Sequence, residues 1–207
     1  MKLDNKNNEY IMKYWNYEKN EKLEPTMVSY GSEKEIWWKC DKGHEWKSKV
    51  YIIAKGSICP YCSGKKVLEG YNDLATLNPA LAKEWNYEKN GDLKPTMVTL
   101  KNNQKVWWKC DKGHEWETLI RNRASLNRNC PYCSNQKILE GYNDLATLNP
   151  TLAKEWNYEK NGDLKPTMVG VGGNKKVWWK CNKGHEWETG INNRHRLKTK
   201  CPYCKNN

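Results

Sequence analysis

Every cysteine in this chain belongs to one pattern, and the chain writes that pattern three times. The string WWKCDKGHEW runs from Trp37 to Trp46, repeats unchanged from Trp107 to Trp116, and returns as WWKCNKGHEW from Trp178 to Trp187. Each copy sets a Cys and a His with three residues between them, and each is followed, after 14 or 15 further residues, by the word CPYC. Nine cysteines and three of the four histidines thus fall into three equal sets: Cys40, His44, Cys59, Cys62; Cys110, His114, Cys130, Cys133; and Cys181, His185, Cys201, Cys204. Two ligand pairs separated by a loop of this length match a structural zinc site, in which thiolates and an imidazole complete a tetrahedron around the ion. Disulfides account for the pattern poorly: nine is odd, a CxxC closes a poor loop, and the recurring His would have no purpose. The expected cofactor is Zn2+, three ions per chain.

The spacing between copies, 70 residues from Cys40 to Cys110 and 71 from Cys110 to Cys181, divides 207 residues into three modules. Their expected bounds are 1–64, 65–135 and 136–207. Modules this small bury little. The chain has no Phe and twelve Trp, four in each repeat, so its apolar material is concentrated in a few large rings, expected mostly in the cores. Metal binding would then supply much of the folding energy.

Within one repeat, Asn78 to Trp85 reads as a short helix. Asn78 is its cap, Pro79 its first residue, and Leu81 and Trp85 lie four apart on one face. Asn149 to Trp156 repeats it, and in the first copy Asn8 holds the cap position with Ile11 and Trp15 on the face. NYEKNGDLKPTMV reads as turns and extended chain. Lys105 to Cys110 reads as a strand, Asp111 to Gly113 as a turn, and His114 to Thr118 as the returning strand. The LEGYND words, Leu68 to Asp73 and Leu139 to Asp144, read as short linkers. The expected fold class is small zinc-stabilised α+β modules: three tandem zinc-ribbon or treble-clef-like repeats, each a short helix, a β-hairpin and a CPYC knuckle.

The words LATLNP, LAKEW, NGDLKPTMV, VWWKC, KGHEW and CPYC together resemble a bacterial and phage family of zinc-ribbon or treble-clef repeats. Its members occur in tandem arrays, often beside endonuclease-like domains of the very-short-patch-repair type. The resemblance covers essentially the whole chain and implies a zinc-stabilised module that binds nucleic acid. The first copy departs from the pattern, because its VYIIAKGSI segment lacks the Arg found at Arg123 and Arg194.

Charge points the same way. The formal net charge is +12, about +9 once nine thiolates and three divalent ions are counted, and a basic protein attracts polyanions. The two near-identical copies differ most between the second strand and the knuckle, where the residues are basic. Arg121, Arg123, Arg128, Arg194, Arg196 and Lys198 are therefore the candidate nucleic-acid contacts, since Arg can fork onto phosphate or guanine. The alternative partner is a protein: an adaptor or inhibitor from a phage or mobile element would act on a host nucleic-acid enzyme through aromatic and Arg anchors.

Catalysis is not expected. Four protein ligands leave zinc no open position for water, and HEW lacks the second His of a zincin helix. His185, Asn193 and His195 echo a His-Asn-His nuclease, but His185 is needed for zinc, and copies one and two lack the set. The first ten residues are polar and no apolar run approaches 18 residues, so neither a signal peptide nor a membrane span is expected, and the reduced thiols fit the cytoplasm. No small-molecule substrate is expected.

Overall fold

The computed structural model describes residues 9–204. It contains three antiparallel hairpins: β1 (Glu35–Lys39) with β2 (Glu45–Lys49), β3 (Lys105–Lys109) with β4 (Glu115–Leu119), and β5 (Lys176–Lys180) with β6 (Glu186–Gly190). Strand alternation sets the inward face: Ile36, Trp38 and Trp46 are buried in the first hairpin and Val177, Trp179 and Trp187 in the third. Trp38 stands opposite Trp46, and Trp179 opposite Trp187.

Each hairpin receives a short helix, and a Trp just beyond that helix meets the buried Trp of the first strand. Asn78 accepts a hydrogen bond from Leu81 N (3.0 Å) and Pro79 starts the helix Pro79–Ala82, as the sequence predicts. The helix is a turn shorter than expected, because Trp85 leaves it to bridge Trp108. Their rings meet edge-to-face with centroids 5.4 Å apart, and the same contact recurs at 5.7 Å for Trp15–Trp38 and 5.5 Å for Trp156–Trp179. The first-copy helix is Glu9–Tyr14, with Ile11 and Trp15 buried as expected, while the cap expected at Asn8 lies outside the described residues. Of the twelve tryptophans only Trp37, Trp107 and Trp178 are half-buried, and each lies under a lysine whose Nζ is 4.2 Å from its ring: Lys19, Lys89 and Lys160.

Three α-helical turns escape the sequence reading. In the NYEKN words, Asn16, Asn86 and Asn157 cap Tyr17–Asn20, Tyr87–Asn90 and Tyr158–Asn161. The closing Asn then covers the outer edge of the hairpin: Asn90 Nδ2 donates to Trp107 O (2.8 Å) and Asn90 Oδ1 accepts from Trp107 N (2.8 Å), with the same pairing at Asn20 and Asn161. After each second strand the chain turns into a helix, Val50–Ala54, Ile120–Ala124 or Ile191–His195, whose first residue is fully buried. Burial of one apolar side chain there decides against the open loop that the basic composition favours.

The third is Leu74–Leu77 and its repeat Leu145–Leu148, capped by the Asp that ends each LEGYND word. Asp73 is fully buried and accepts from the Thr76 amide (2.9 Å), the Thr76 hydroxyl (2.7 Å) and the Gly70 amide (2.7 Å). Burial alone would raise its carboxyl; the Thr76 and Gly70 hydrogen bonds outweigh that and hold Asp73 below the ordinary range, and Asp144 likewise. The folded value lies below the unfolded one, so this stabilisation is complete above about pH 4 and is lost as pH falls through the folded value. At pH 7, Asp144→Ala is expected to cost about 0.5–2 kcal/mol, read as a lowered midpoint in urea.

The chain divides into two compact units, residues 1–109 with 117–127 and residues 110–116 with 128–207. The first holds the Cys40 set and the second holds the Cys110 and Cys181 sets. Among the described residues no helix is long and apolar enough to cross a membrane.

Candidate metal centres and basic surface

The hairpin tip brings Cys and His together. Cys40 N donates to His44 O (3.0 Å) and Gly43 N to Cys40 O (2.8 Å), with the same bonds at Cys110 and Cys181. The Gly of each KGH word sits at φ 79°, 81° or 84°, a left-handed conformation that strains any larger residue. The CPYC knuckle closes the set from the other side: Ser63 N reaches back to Cys59 O (3.0 Å), and Ser134 N to Cys130 O (3.0 Å).

Each set places three Sγ atoms and one His Nδ1 within 4.8 Å of one another. Their spacing tests whether they fit zinc. Bonds of about 2.3 Å to sulfur and 2.0–2.1 Å to nitrogen imply tetrahedral edges of about 3.8 Å between sulfurs and about 3.6 Å from sulfur to nitrogen. Cys40, Cys110 and Cys181 lie 3.8, 3.9 and 3.8 Å from Cys62, Cys133 and Cys204. The sulfur-to-Nδ1 distances run from 3.2 Å (Cys133–His114) to 3.7 Å (Cys59–His44). These are coordination edges rather than hydrogen bonds. Burial pushes the Cys59 and Cys130 thiols up to about 11 in the protein alone, so three thiolates gathered here need a cation. All twelve ligands expected from the sequence are brought together, in three Cys3His zinc sites.

A tyrosine that sequence reasoning missed stands over two of these sites. The Tyr71 ring packs edge-on to His44 with centroids 4.1 Å apart, and its hydroxyl lies 3.7 Å from Cys62 Sγ. Lys42 Nζ donates to that hydroxyl (3.1 Å). Tyr142 repeats the arrangement with His114 (4.1 Å), Cys133 (3.9 Å) and Lys112 (3.2 Å). A site of three thiolates, one neutral imidazole and Zn2+ carries one net negative charge, and the lysine-to-tyrosine-to-sulfur chain directs a positive charge towards it. Among the described residues no counterpart covers His185, which has only Tyr203 against its ring. The signal was in the sequence: GYND follows the knuckle twice, but it reads as a linker. Asn72 fastens that linker, donating to Tyr61 O (2.7 Å) and Lys66 O (2.9 Å). Tyr142→Leu is expected to weaken zinc binding at its site about tenfold, measured by competition with a chromophoric chelator.

The family model described as "Probable Treble clef zinc finger domain" matches residues 11–65, 81–136 and 152–207. The chain belongs to this family. The chain is also similar to a protein of Escherichia phage T5 named "Putative endonuclease", 28% identical over 102 residues. That match spans 48% of this chain and only 31% of the phage protein.

The glutamates of the HEW words are held beside the treble clef hairpins. Glu45 pairs across the hairpin with Lys39 (3.7 Å) and accepts from Asn16 Nδ2 (2.9 Å), and Glu186 pairs with Lys180 (3.3 Å) and Lys160 (2.8 Å). The candidate contact residues separate into two groups. Arg121, Arg128, Arg196 and Lys198 are exposed. Arg123 and Arg194 are not: both are buried, 6% and 7% exposed. Arg123 Nη1 donates to Glu84 Oε2 (2.8 Å) with its guanidinium 5.2 Å from the Trp108 ring, and Arg194 pairs with Glu155 beside Trp179 and Trp187. The expectation that these two reach a nucleic acid is corrected: each faces inward because the helical turn after the second strand points its fourth residue at the core. In the first copy Ile53 and Tyr14 occupy the positions of Arg123 and Glu84, and both pack in its core. The missing arginine of that copy is a core substitution.

Proposed function

We propose that the three treble clef modules form a non-catalytic array that binds nucleic acid, DNA in preference to RNA, in the cytoplasm. The observation that carries this reading is the run of exposed cations along one stretch of sequence, from the helical turn after the second strand to the knuckle. Arg121 and Arg128 occupy it in the second module and Arg196 and Lys198 in the third, on a chain of formal net charge +12. Preference for DNA follows from access: arginine forks read guanine in the wide major groove of B-DNA, whereas the A-form groove is too narrow. A non-catalytic role is supported by the closed ligand sets and by His195, whose Nδ1 lies 3.1 Å from Asn149 Nδ2. The name of the phage relative makes cleavage the obvious check, and no cleavage of DNA with Mg2+ is expected.

Fluorescence anisotropy of the zinc-loaded protein on labelled DNA and RNA, over a series of salt concentrations, tests the reading. Log affinity should fall linearly with log salt, and neutralising Arg121, Arg128, Arg196 and Lys198 together should reduce the slope by about one per contact. No binding at low salt would reject the array. A protein partner is the second reading, favoured by Leu126 and Leu197, which stand 58% and 63% exposed beside these cations. A protein captured with equal strength by the charge-neutralised variant would support it.

A further inference from the structure

A second exposed feature recurs in the modules. The tyrosine of each NYEKN word is more than half exposed: Tyr17 55%, Tyr87 55% and Tyr158 58%. Its backbone is nevertheless fixed, because the preceding Asn caps the turn; Asn157 Oδ1 accepts from Lys160 N (3.1 Å). In the third module Tyr158 forms one wall of a shallow groove of about 350 Å³, with Ala146, Pro150 and Ala153 among the residues lining it. Lys154 and Lys165 also line it, both exposed, and none of its lining residues is acidic. The second module has the same residue types at the matching positions, Ala75, Pro79, Ala82, Lys83, Tyr87 and Lys94.

We propose that Tyr158 and Tyr87 each stack an unpaired base of a single-stranded nucleic acid, whose phosphates lie against Lys154 and Lys165, or Lys83 and Lys94. An exposed aromatic face on a fixed backbone offers sequence-tolerant stacking, and flanking lysines supply the counter-charge to the phosphates on either side of each base. A duplex cannot use this surface, because its base faces are already stacked. The first module is excluded by its own residues: Glu24 replaces the second lysine, and Lys13 is paired with Asp41 at 3.0 Å. Two such grooves add a single-strand specificity to the array; the inference rests on the nucleic-acid reading above.

Its test uses the full zinc-loaded chain and two fluorescent probes at low salt, oligothymidylate and a duplex of the same length. Replacing both rings, Tyr87→Leu with Tyr158→Leu, should weaken binding of the single strand by about tenfold or more and leave the duplex unchanged. Tyr87→Phe with Tyr158→Phe keeps the rings and should keep the affinity, and Tyr17→Leu should have no effect. All the side chains replaced are exposed, so zinc content and far-UV circular dichroism should stay those of the parent. Lys154→Gln with Lys165→Gln provides a second line, lowering the salt slope for the single strand by about 1.4. Unchanged single-strand affinity in the double Leu variant, or an equal loss on the duplex, overturns this inference and leaves the nucleic-acid reading standing. A parent protein that binds neither probe overturns both.

Discussion

Stripping zinc with excess chelator is expected to unfold the protein, with loss of the near-ultraviolet signal of its buried tryptophans and most of its far-ultraviolet ellipticity. The expectation follows from how little else holds each module. Their sheets have two strands, and the helices described here run to six residues at most, far below the length at which a helix is stable alone. Among the described residues, ten buried ones form the core of the first module, two of them zinc ligands, and the third is built alike. A structural zinc contributes about 10–16 kcal/mol of apparent binding energy, as much as the whole stability of an ordinary domain. Native mass spectrometry should count three zinc ions per chain. Cys130→Ser should leave two, with the Trp179 and Trp38 cores still folded. A metal-free protein that keeps its near-ultraviolet signal would show that the tryptophan clusters suffice by themselves.

Breaking the buried ion pair of the third module should be the next most damaging change. Arg194→Met leaves Glu155 without its partner, and removing one member of a buried pair costs about 3–5 kcal/mol. The lower figure is expected, because the Glu155 side chain keeps 35% of its exposure and water can reach it. The first module shows how the loss can be repaired. There Tyr14 and Ile53 replace both members, and Ile53 is 1% exposed in the core. Glu155→Tyr with Arg194→Ile should therefore recover most of the stability lost by Arg194→Met, as replacing a whole ion pair by packed apolar groups often does. Urea unfolding of the parent, the single variant and the double variant measures this. A double variant as unstable as the single one would mean that the third module's tryptophans do not accept the first module's packing.

Much of the site was legible because its chemistry leaves little choice. Thiolates and imidazole at these intervals serve one purpose, and strict repetition removed the ambiguity of a single motif. The hairpins were equally plain, since Val-Trp-Trp strands around an Asp-Lys-Gly turn satisfy both strand propensity and turn geometry. Short capped turns were harder. NYEKN and LEGYND carry Asn, Asp and Gly, which mark loops and helix caps alike; buried Leu74 and Leu145 mark the LEGYND caps, and the bonds of Asn90 and Asn161 to the hairpin edge mark the NYEKN turns. Tyr71 and Tyr142 were missed for the same reason: their role comes from where the chain leads them after the knuckle.

The sequence alone determined that the chain folds as three zinc modules, because ligand identity and spacing are local properties that survive without coordinates. It also determined that the surface is basic, which is a matter of composition. Which cations belong to that surface was decided only by the tertiary structure. Arg121 and Arg123 are two residues apart on one helical turn, and a rotation of about 200° sends one to solvent and the other onto Trp108 and Glu84. A sequence shows two arginines there; packing separates a candidate ligand contact from a strut of the core.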